Sequence, residues 1–471
     1  MNSVLAALAL IICVGVNLVV PDHSGAAAAL VVCALLATPV SFLIFGLKFE
    51  KQYLFQLFIA GLLIRIIVGT IINVFELQDF FGGDAFAYDI YGQALLKSLA
   101  GDQYYAGLVE RFQGTMGVGA TGMIYMVAAI YKILGRNMLA VQFVNAVMGA
   151  STAPIIFLIA HNIFGNVRVA RIASLFVAFF PSLVLWSSQG LKDGPIVFML
   201  ALSVLLTLRL GEKFSLKNAV LLAAVLAILT TFRFYLFFMI TAAIVGAFTI
   251  GMRQFTAIGF VRQLLLVVGI GLALTYLGVI RTANVQFGYF SDLSVVQRSR
   301  LDLATSANTG FGEDIDVSTA SGALQAVPTG ILYLLFAPFP WQLQSLRQSI
   351  TLPEMLVWWV SFPFLVTGFW FTFRHRLRQS FVIFIFTTML TLAYSIFQGN
   401  VGTAYRQRAQ ILVFYFIFVA VGIVLLIEKW EERRQHAALE RAKTTKAFGV
   451  TPLGIARPVT KQSTTPVQSS S

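Results

Sequence analysis

The chain returns repeatedly to apolar runs long enough to cross a lipid bilayer, and that recurrence limits what it can fold into more than any motif does. A hydrocarbon core of about 30 Å takes about 20 apolar residues of helix, because backbone polar groups inside lipid must be satisfied within the segment itself. Twelve such stretches occur, near residues 3–20, 25–47, 54–76, 138–160, 170–187, 194–210, 218–232, 235–251, 263–280, 353–373, 380–397 and 411–427. Of the 471 residues 58% are hydrophobic and only 11% charged, far from the balance of a soluble domain. The expected fold is therefore all-α, a polytopic transmembrane helical bundle of about twelve spans. The net charge of +13 would point to nucleic acid in a soluble chain. Here the basic residues gather between spans, so the expected partner is the bilayer and not a nucleic acid.

Those basic residues also orient the chain. Lys48 and Lys51, Arg168 and Arg171, Arg209, Lys213 and Lys217, Arg253 and Arg262, and the run Arg374-His375-Arg376-Leu377-Arg378 all fall on one side if the N-terminus is cytoplasmic. Counting either 115–134 or 329–346 as a further crossing would invert that bias downstream. Residues 119–134 and Gly330 to Trp341, interrupted by Pro328, Pro338 and Pro340, are accordingly expected to lie in the membrane interface. Residues 1–50 then read as two N-terminal transmembrane helices, 51–427 as the functional transmembrane domain with extracytoplasmic loops at 77–137 and 281–352, and 428–471 as a cytoplasmic tail. That tail is first charged and then of disorder-like Thr, Pro, Gln and Ser composition. The segment before the first apolar run lacks Lys and Arg, which favours a retained span over a cleaved signal. Cys13 and Cys33 lie in apolar spans and the four histidines are scattered, so neither a disulfide framework nor a Cys/His metal site is expected. No internal repeat marks the chain as a transporter of the inverted-repeat kind.

On this topology the outer face collects chemistry from several loops: Asp84 and Asp89, Lys192 and Asp193, Arg233, and Arg406 with Arg408. A loop carboxylate or arginine is ordinarily solvated or anchors headgroups, and for Asp89, Arg233 and Arg408 taken singly that bland reading comes first. Asp84 stands apart. It follows Gly82-Gly83, which let the chain turn sharply beside a ligand, and Tyr88 offers a ring and a hydroxyl that suit a sugar. In Trp186-Ser187-Ser188-Gln189-Gly190-Leu191-Lys192-Asp193 the lysine is a point charge for a lipid phosphate, although Lys192-Asp193 also fits a helix start at Pro195. Tyr405-Arg406-Gln407-Arg408 supplies guanidinium forks that match phosphate oxygens.

An acidic motif in the first outer loop, an Asp opening a span after a short outer loop, and a late Tyr-Arg-x-Arg before the last span together resemble the GT-C superfamily of polyprenyl-phosphate-sugar-dependent glycosyltransferases, such as protein O-mannosyltransferases and bacterial aminoarabinose transferases. The resemblance covers most of 54–427, including Phe180-Pro181-Ser182 and Phe336-Ala337-Pro338-Phe339-Pro340-Trp341. It implies a bacterial inner-membrane enzyme whose site faces the periplasm or exterior. The enzyme would move a sugar from a polyprenyl-phosphate donor to a hydroxyl of a glycan, lipid or protein. By this likeness Asp84 matches the general base or acceptor-orienting acid, Lys192 and Asp193 match the site facing donor phosphate and acceptor, and Arg406 is the phosphate-side candidate. Many members carry adjacent acids or Asp-x-Asp in the first loop, whereas Asp84 is followed by Ala85 and Phe86, which leaves the use of a divalent metal open. Three other readings remain at this level. A surface-polysaccharide polymerase or ligase would rely on Arg298 or Arg300, a lipid-linked glycan transporter on a charge inside a span such as Arg65, and the third is a non-catalytic assembly partner.

Overall fold

The computed structural model describes residues 2–81, 83–116, 121–250, 257–276, 278, 288, 292–305, 309–343 and 346–448. Gly82, Arg253, parts of the 281–352 segment and the Thr/Pro/Gln/Ser-rich end beyond 448 lie outside the described residues. Among the described residues there is no β-strand, only an isolated bridge between Gly310 and Asn400. The helices run α1 (Asn2–Val19), α2 (His23–Phe45), α3 (Lys51–Val74), α4 (Gln78–Phe81), α5 (Asp84–Leu99), α6 (Gln103–Met116), α7 (Thr121–Leu134), α8 (Met138–Phe164), α9 (Val167–Phe179) and α10 (Pro181–Ser187). They continue as α11 (Asp193–Glu212), α12 (Leu216–Phe232), α13 (Phe234–Thr249), α14 (Ala257–Tyr276), α15 (Leu293–Thr305), α16 (Ala320–Phe336), α17 (Leu346–Ser349), α18 (Leu352–Phe397), α19 (Val401–Gln407) and α20 (Ala409–Phe448).

The all-helical, polytopic architecture is as expected from the apolar runs, and the described part of each of the twelve stretches is largely helical. Among the described residues six helices qualify as spans by length and apolarity, or seven if α9 and α10 count as one. The 46-residue α18 carries two of the stretches, because Arg376 (φ −134°, ψ 18°) interrupts it between them. The stretch at 170–187 is broken: Pro181 occupies the first turn of α10, Phe180 stays extended, and α10 leaves α9 at 53°. The long 77–137 segment is helical over most of its described length, as α4 to α7, and the described part of 119–134 is α7. Large side chains such as Leu10, Phe42 and Leu43 point outward, the arrangement expected of helices solvated by lipid.

Two compact units are distinguished, Met1–Gly422 and Ile423–Ser471. In the second, the charged run that follows the last apolar stretch is helical to Phe448, with Arg434 stacked on Trp430 at 3.6 Å and Lys443 paired to Glu440 at 3.2 Å.

In the first unit α8 is the pivot, packed on α2, α3, α9 and α11. Asn137 caps its start by accepting from the Ala140 N–H, and Gly165 closes it in the left-handed region at φ 65°. It is apolar nearly all round, as a helix enclosed by others must be. Its few polar side chains fix neighbouring backbone. Asn145 Nδ2 donates to the carbonyls of Gln189 at 2.6 Å and Leu191 at 2.7 Å, so the loop before α11 hangs from α8. Arg65, buried on α3, donates to Ser187 Oγ (2.8 Å), Ala178 O (2.9 Å) and Gly61 O (2.8 Å), and so ties the bent end of α9 and α10 to α3. The charge inside that span is consumed locally, by its own helix, by Ser187 and by the Ala178 carbonyl next to the Pro181 bend.

Gly149 makes this junction possible: a Cβ there would stand 2.4 Å from Ser187 Cβ and 2.9 Å from Arg65 Nε. Gly149→Val is therefore expected to lower stability by about 3 kcal/mol through overpacking. At Gly211 nothing lies within 4 Å of a new Cβ, so Gly211→Val should stay within about 0.5 kcal/mol. Thermal unfolding of the two variants in detergent checks the contrast.

Candidate functional site

A chain of ion pairs joins four separate segments at one end of the helices. Asp84 opens α5, where the partial positive charge of a helix N-terminus favours a carboxylate, and its Oδ2 accepts from Arg406 Nη1 at 2.6 Å. Arg406 lies on the short α19, whose start is capped by Asn400 accepting from the N–H groups of Gly402 and Thr403. Its Nε donates to Asp193 Oδ2 at 2.6 Å. Asp193 opens α11 with its side chain 1% exposed, and its Oδ1 lies 3.6 Å from Arg233 Nη2. Arg233 stands in the extended link between α12 and α13 and donates from Nη1 to Tyr235 Oη (2.6 Å) and Tyr394 Oη (3.3 Å). Tyr88, one turn after Asp84, is buried within the field of the same four charges. Burial, and then Asp84, raise its phenol well above the ordinary value.

Lys192 precedes Asp193 and makes no ion pair among the described residues. Burial, followed by the repulsion of Arg233, brings its ammonium down from 10.5 to about 8. Burial works against the charges of Arg406 and Arg233 as well, yet both remain held in the cationic form. Asp193 and Asp84 act on Arg406, and Tyr235, Tyr394 and Asp193 on Arg233.

Asp84, Lys192, Arg233 and Arg406 border a cavity of about 1360 Å³. Asp84, Lys192, Arg233, Arg347 and Arg406 line one part of it, while Ile64, Val68, Phe179 and Leu185 of α3, α9 and α10 give an apolar wall. Arg347 reaches across from α17 to donate to the Phe81 carbonyl at 2.7 Å, and like Lys192 it has no carboxylate partner among the described residues. The cationic part thus carries positive charge beyond what its ion pairs neutralise, a field that attracts an anion. Among the described residues no three His, Cys, Asp or Glu side chains gather to hold a metal ion.

Two of the sequence candidates lie elsewhere. Asp89 accepts from Tyr131 Oη at 2.6 Å and pairs with Arg136, fastening α5 to α7 and its following turn. Arg408 is fully buried and donates to the carbonyls of Leu335 (3.0 Å) and Ala337 (3.1 Å), closing the C-terminal end of α16. Conversely Glu354, Trp186, Tyr405 and Arg347 line the cavity and were not among the candidates. For Glu354 a signal existed: an acid right after Pro353, opening an apolar stretch, is costly to bury.

Residues 120–278 match the family model described as dolichyl-phosphate-mannose-protein mannosyltransferase, and this match bears out the resemblance to GT-C membrane glycosyltransferases. The matched segment holds Trp186, Lys192, Asp193 and Arg233, while Asp84, Glu354 and Arg406 lie outside it. Among solved structures, the apo oligosaccharyltransferase of Archaeoglobus fulgidus superimposes with a TM-score of 0.42 at 13% identity, over 69% of this chain and 44% of that one. The Archaeoglobus fulgidus oligosaccharyltransferase AglB in complex with an inhibitory peptide and a dolichol-phosphate gives 0.39 at 14% identity with the same coverage. The chain thus spans less than half the length of these structures. No curated protein matches it.

The two aspartates bound to Arg406 differ in environment, which sets up a stability test. Asp193→Ala strands two buried guanidinium groups and should cost about 3–5 kcal/mol. Asp84→Ala removes a carboxylate that is 54% exposed and should cost no more than about 1 kcal/mol. Detergent melting curves of the two variants give the comparison.

Proposed function

We propose that this protein is a membrane glycosyltransferase that moves a sugar from a polyprenyl-phosphate donor to an acceptor hydroxyl, with the site on the outer face of a bacterial inner membrane. The observation that carries the reading is the single cavity that combines an apolar wall with a cationic part and a half-exposed carboxylate. A lipid phosphate sugar is an amphiphile with those needs: hydrocarbon, one anionic link and a polar ring.

In the reaction the acceptor oxygen forms a bond to C1 of the sugar as the bond from C1 to the phosphate oxygen breaks. The electron pair leaves with the phosphate, and the acceptor proton passes to Asp84. Arg406 holds Oδ2 of Asp84, which leaves Oδ1 to take that proton. Charge growing on the leaving phosphate is met by Lys192 and by Arg406 Nη2, a buried donor without a partner in the protein. Attack from the face opposite the phosphate inverts C1. The outer face is supported by α11, which carries Asp193 at one end and Arg209 near the other, so the site and the basic loops sit at opposite ends of the same span.

The polymerase or ligase reading draws less support. Arg300 is buried and donates to the carbonyls of Ile396 and Gln398, and neither it nor Arg298 lines the cavity. The local bonding of Arg65 takes away the intramembrane charge on which the transporter reading drew.

Sugar transfer by the purified protein from polyprenyl-phosphate sugars to added acceptors or water is the test. Asp84→Asn should fold, bind donor and lose turnover by about a hundredfold or more; undiminished turnover would remove Asp84 from the role of base. The pH profile gives a second expectation. Lys192 is cationic below about 8 and neutral above it, so kcat/KM should fall as pH rises through that value. Lys192→Arg keeps its charge and should abolish this alkaline limb, whereas a limb that persists would assign the loss to another group.

A further inference from the structure

Beyond the phosphate end, the cavity has a second polar corner that the reaction just described leaves unused. Glu354, on the first turn of α18, is 3% exposed, and its Oε2 accepts from Tyr405 Oη at 2.8 Å. Its Oε1 makes no hydrogen bond of ordinary length, although the hydroxyl and backbone N–H of Ser182 act on the same carboxylate. Trp186, on α10, is 4% exposed and its Nε1–H is likewise unpartnered. Both residues line the cavity, as do Tyr405 and Ser182, and the Trp186 and Tyr405 rings meet edge to face at 6.3 Å.

Buried polar atoms are ordinarily paired, so an acceptor and a donor left without a full partner on two residues that line one cavity call for a ligand that supplies both. The hydroxyls of a sugar ring have that chemistry, one able to donate to Glu354 Oε1 and another to accept from Trp186 Nε1–H. The field of the Arg408 guanidinium offsets the Glu354 charge, which favours a neutral hydroxyl over an ammonium group at this corner. The corner also adjoins the phosphate end. Tyr405 is the residue before Arg406, and Arg406 Cζ stands 5.9 Å from the centre of the Trp186 ring while bonding both Asp84 and Asp193.

We infer that Glu354 and Trp186 form the subsite for the donor's sugar ring, gripping its hydroxyls while the phosphate lies at Lys192 and Arg406. This rests on the glycosyltransferase reading and deepens it, since it makes Glu354 the residue that tells a sugar-bearing lipid phosphate from a bare one. It also directs C1, the atom between ring and phosphate, toward the Arg406 and Asp84 side of the cavity.

The experiment measures equilibrium binding of farnesyl phosphate and of a panel of farnesyl-phosphate-linked hexoses and pentoses to the full chain in detergent. Wild type should bind at least one of the sugar-bearing lipids more tightly than farnesyl phosphate. Glu354→Gln should weaken that lipid by about tenfold, as when a buried hydrogen-bonding group loses its match, and leave farnesyl phosphate unchanged. Trp186→Phe keeps the ring and removes only the Nε1–H, and it should weaken the same lipid by about fivefold. Loss of binding to both lipids in Glu354→Gln, with Trp186→Phe unchanged, would make the corner structural and overturn the inference. So would a wild type that binds no sugar-bearing lipid better than farnesyl phosphate. A wild type that binds neither class of lipid would bring down the glycosyltransferase reading along with it.

Discussion

A carboxylate that is almost wholly buried needs cations beside it, and Asp193 sets that requirement for this fold. It opens α11 from a loop that Asn145 suspends from α8, so its position is decided by the most enclosed helix of the unit. Arg233 and Arg406 must then be brought to it, from the α12 to α13 link and from α19. Arg406 has further N–H groups to place, and one of them captures Asp84 at the start of α5. Four segments far apart in sequence converge because each carries a charge that is more costly to leave alone than to pair.

The surrounding scaffold serves the same junction. Arg65 holds the bent end of α9 and α10 against α3, and Gly149 leaves the space in which Ser187 nests. The Pro181 bend has two effects. It exposes carbonyls that Arg65 then occupies, and it turns α10 so that Trp186 lines the cavity. At the other side Arg408 secures the end of α16 and lies near Glu354, so that a buried arginine and a buried acid offset each other without a direct ion pair among the described residues.

Apolarity made the helical, membrane-spanning class legible: the described part of each of the twelve stretches is largely helical, although only six or seven helices among the described residues qualify as spans, and the break at Arg376 falls between two stretches. The gathering of Asp84, Lys192, Asp193, Arg233 and Arg406 was approachable because a charge at the end of an apolar run has few places to go. What escaped were matters of direction and partner. Asp89 and Arg136 stand 47 positions apart, and nothing in either neighbourhood marks them as a pair. Arg408 is two residues from Arg406 in the same motif, yet it points to the end of α16, a distinction set by helix phase and visible only once α19 and α20 are placed. Glu354 reads as an ordinary helix-start acid until Tyr405 and the cavity wall surround it.

Asp84 and Asp193 are the same residue type bound to the same guanidinium, and their different surroundings suit them to different parts of the proposed reaction. Asp193 is enclosed, with both oxygens facing arginines, so it holds its charge and offers an incoming hydroxyl little access. Asp84 is half exposed and held through one oxygen, so its other oxygen is open to the cavity and to solvent. One carboxylate kept ionised by neighbouring cations and another left open to exchange a proton is how paired acids elsewhere acquire separate roles. In the proposed reaction Asp193 fixes Arg406, and Arg406 in turn positions Asp84. The base is thus aimed from the buried side, while its working oxygen stays on the side from which an acceptor arrives.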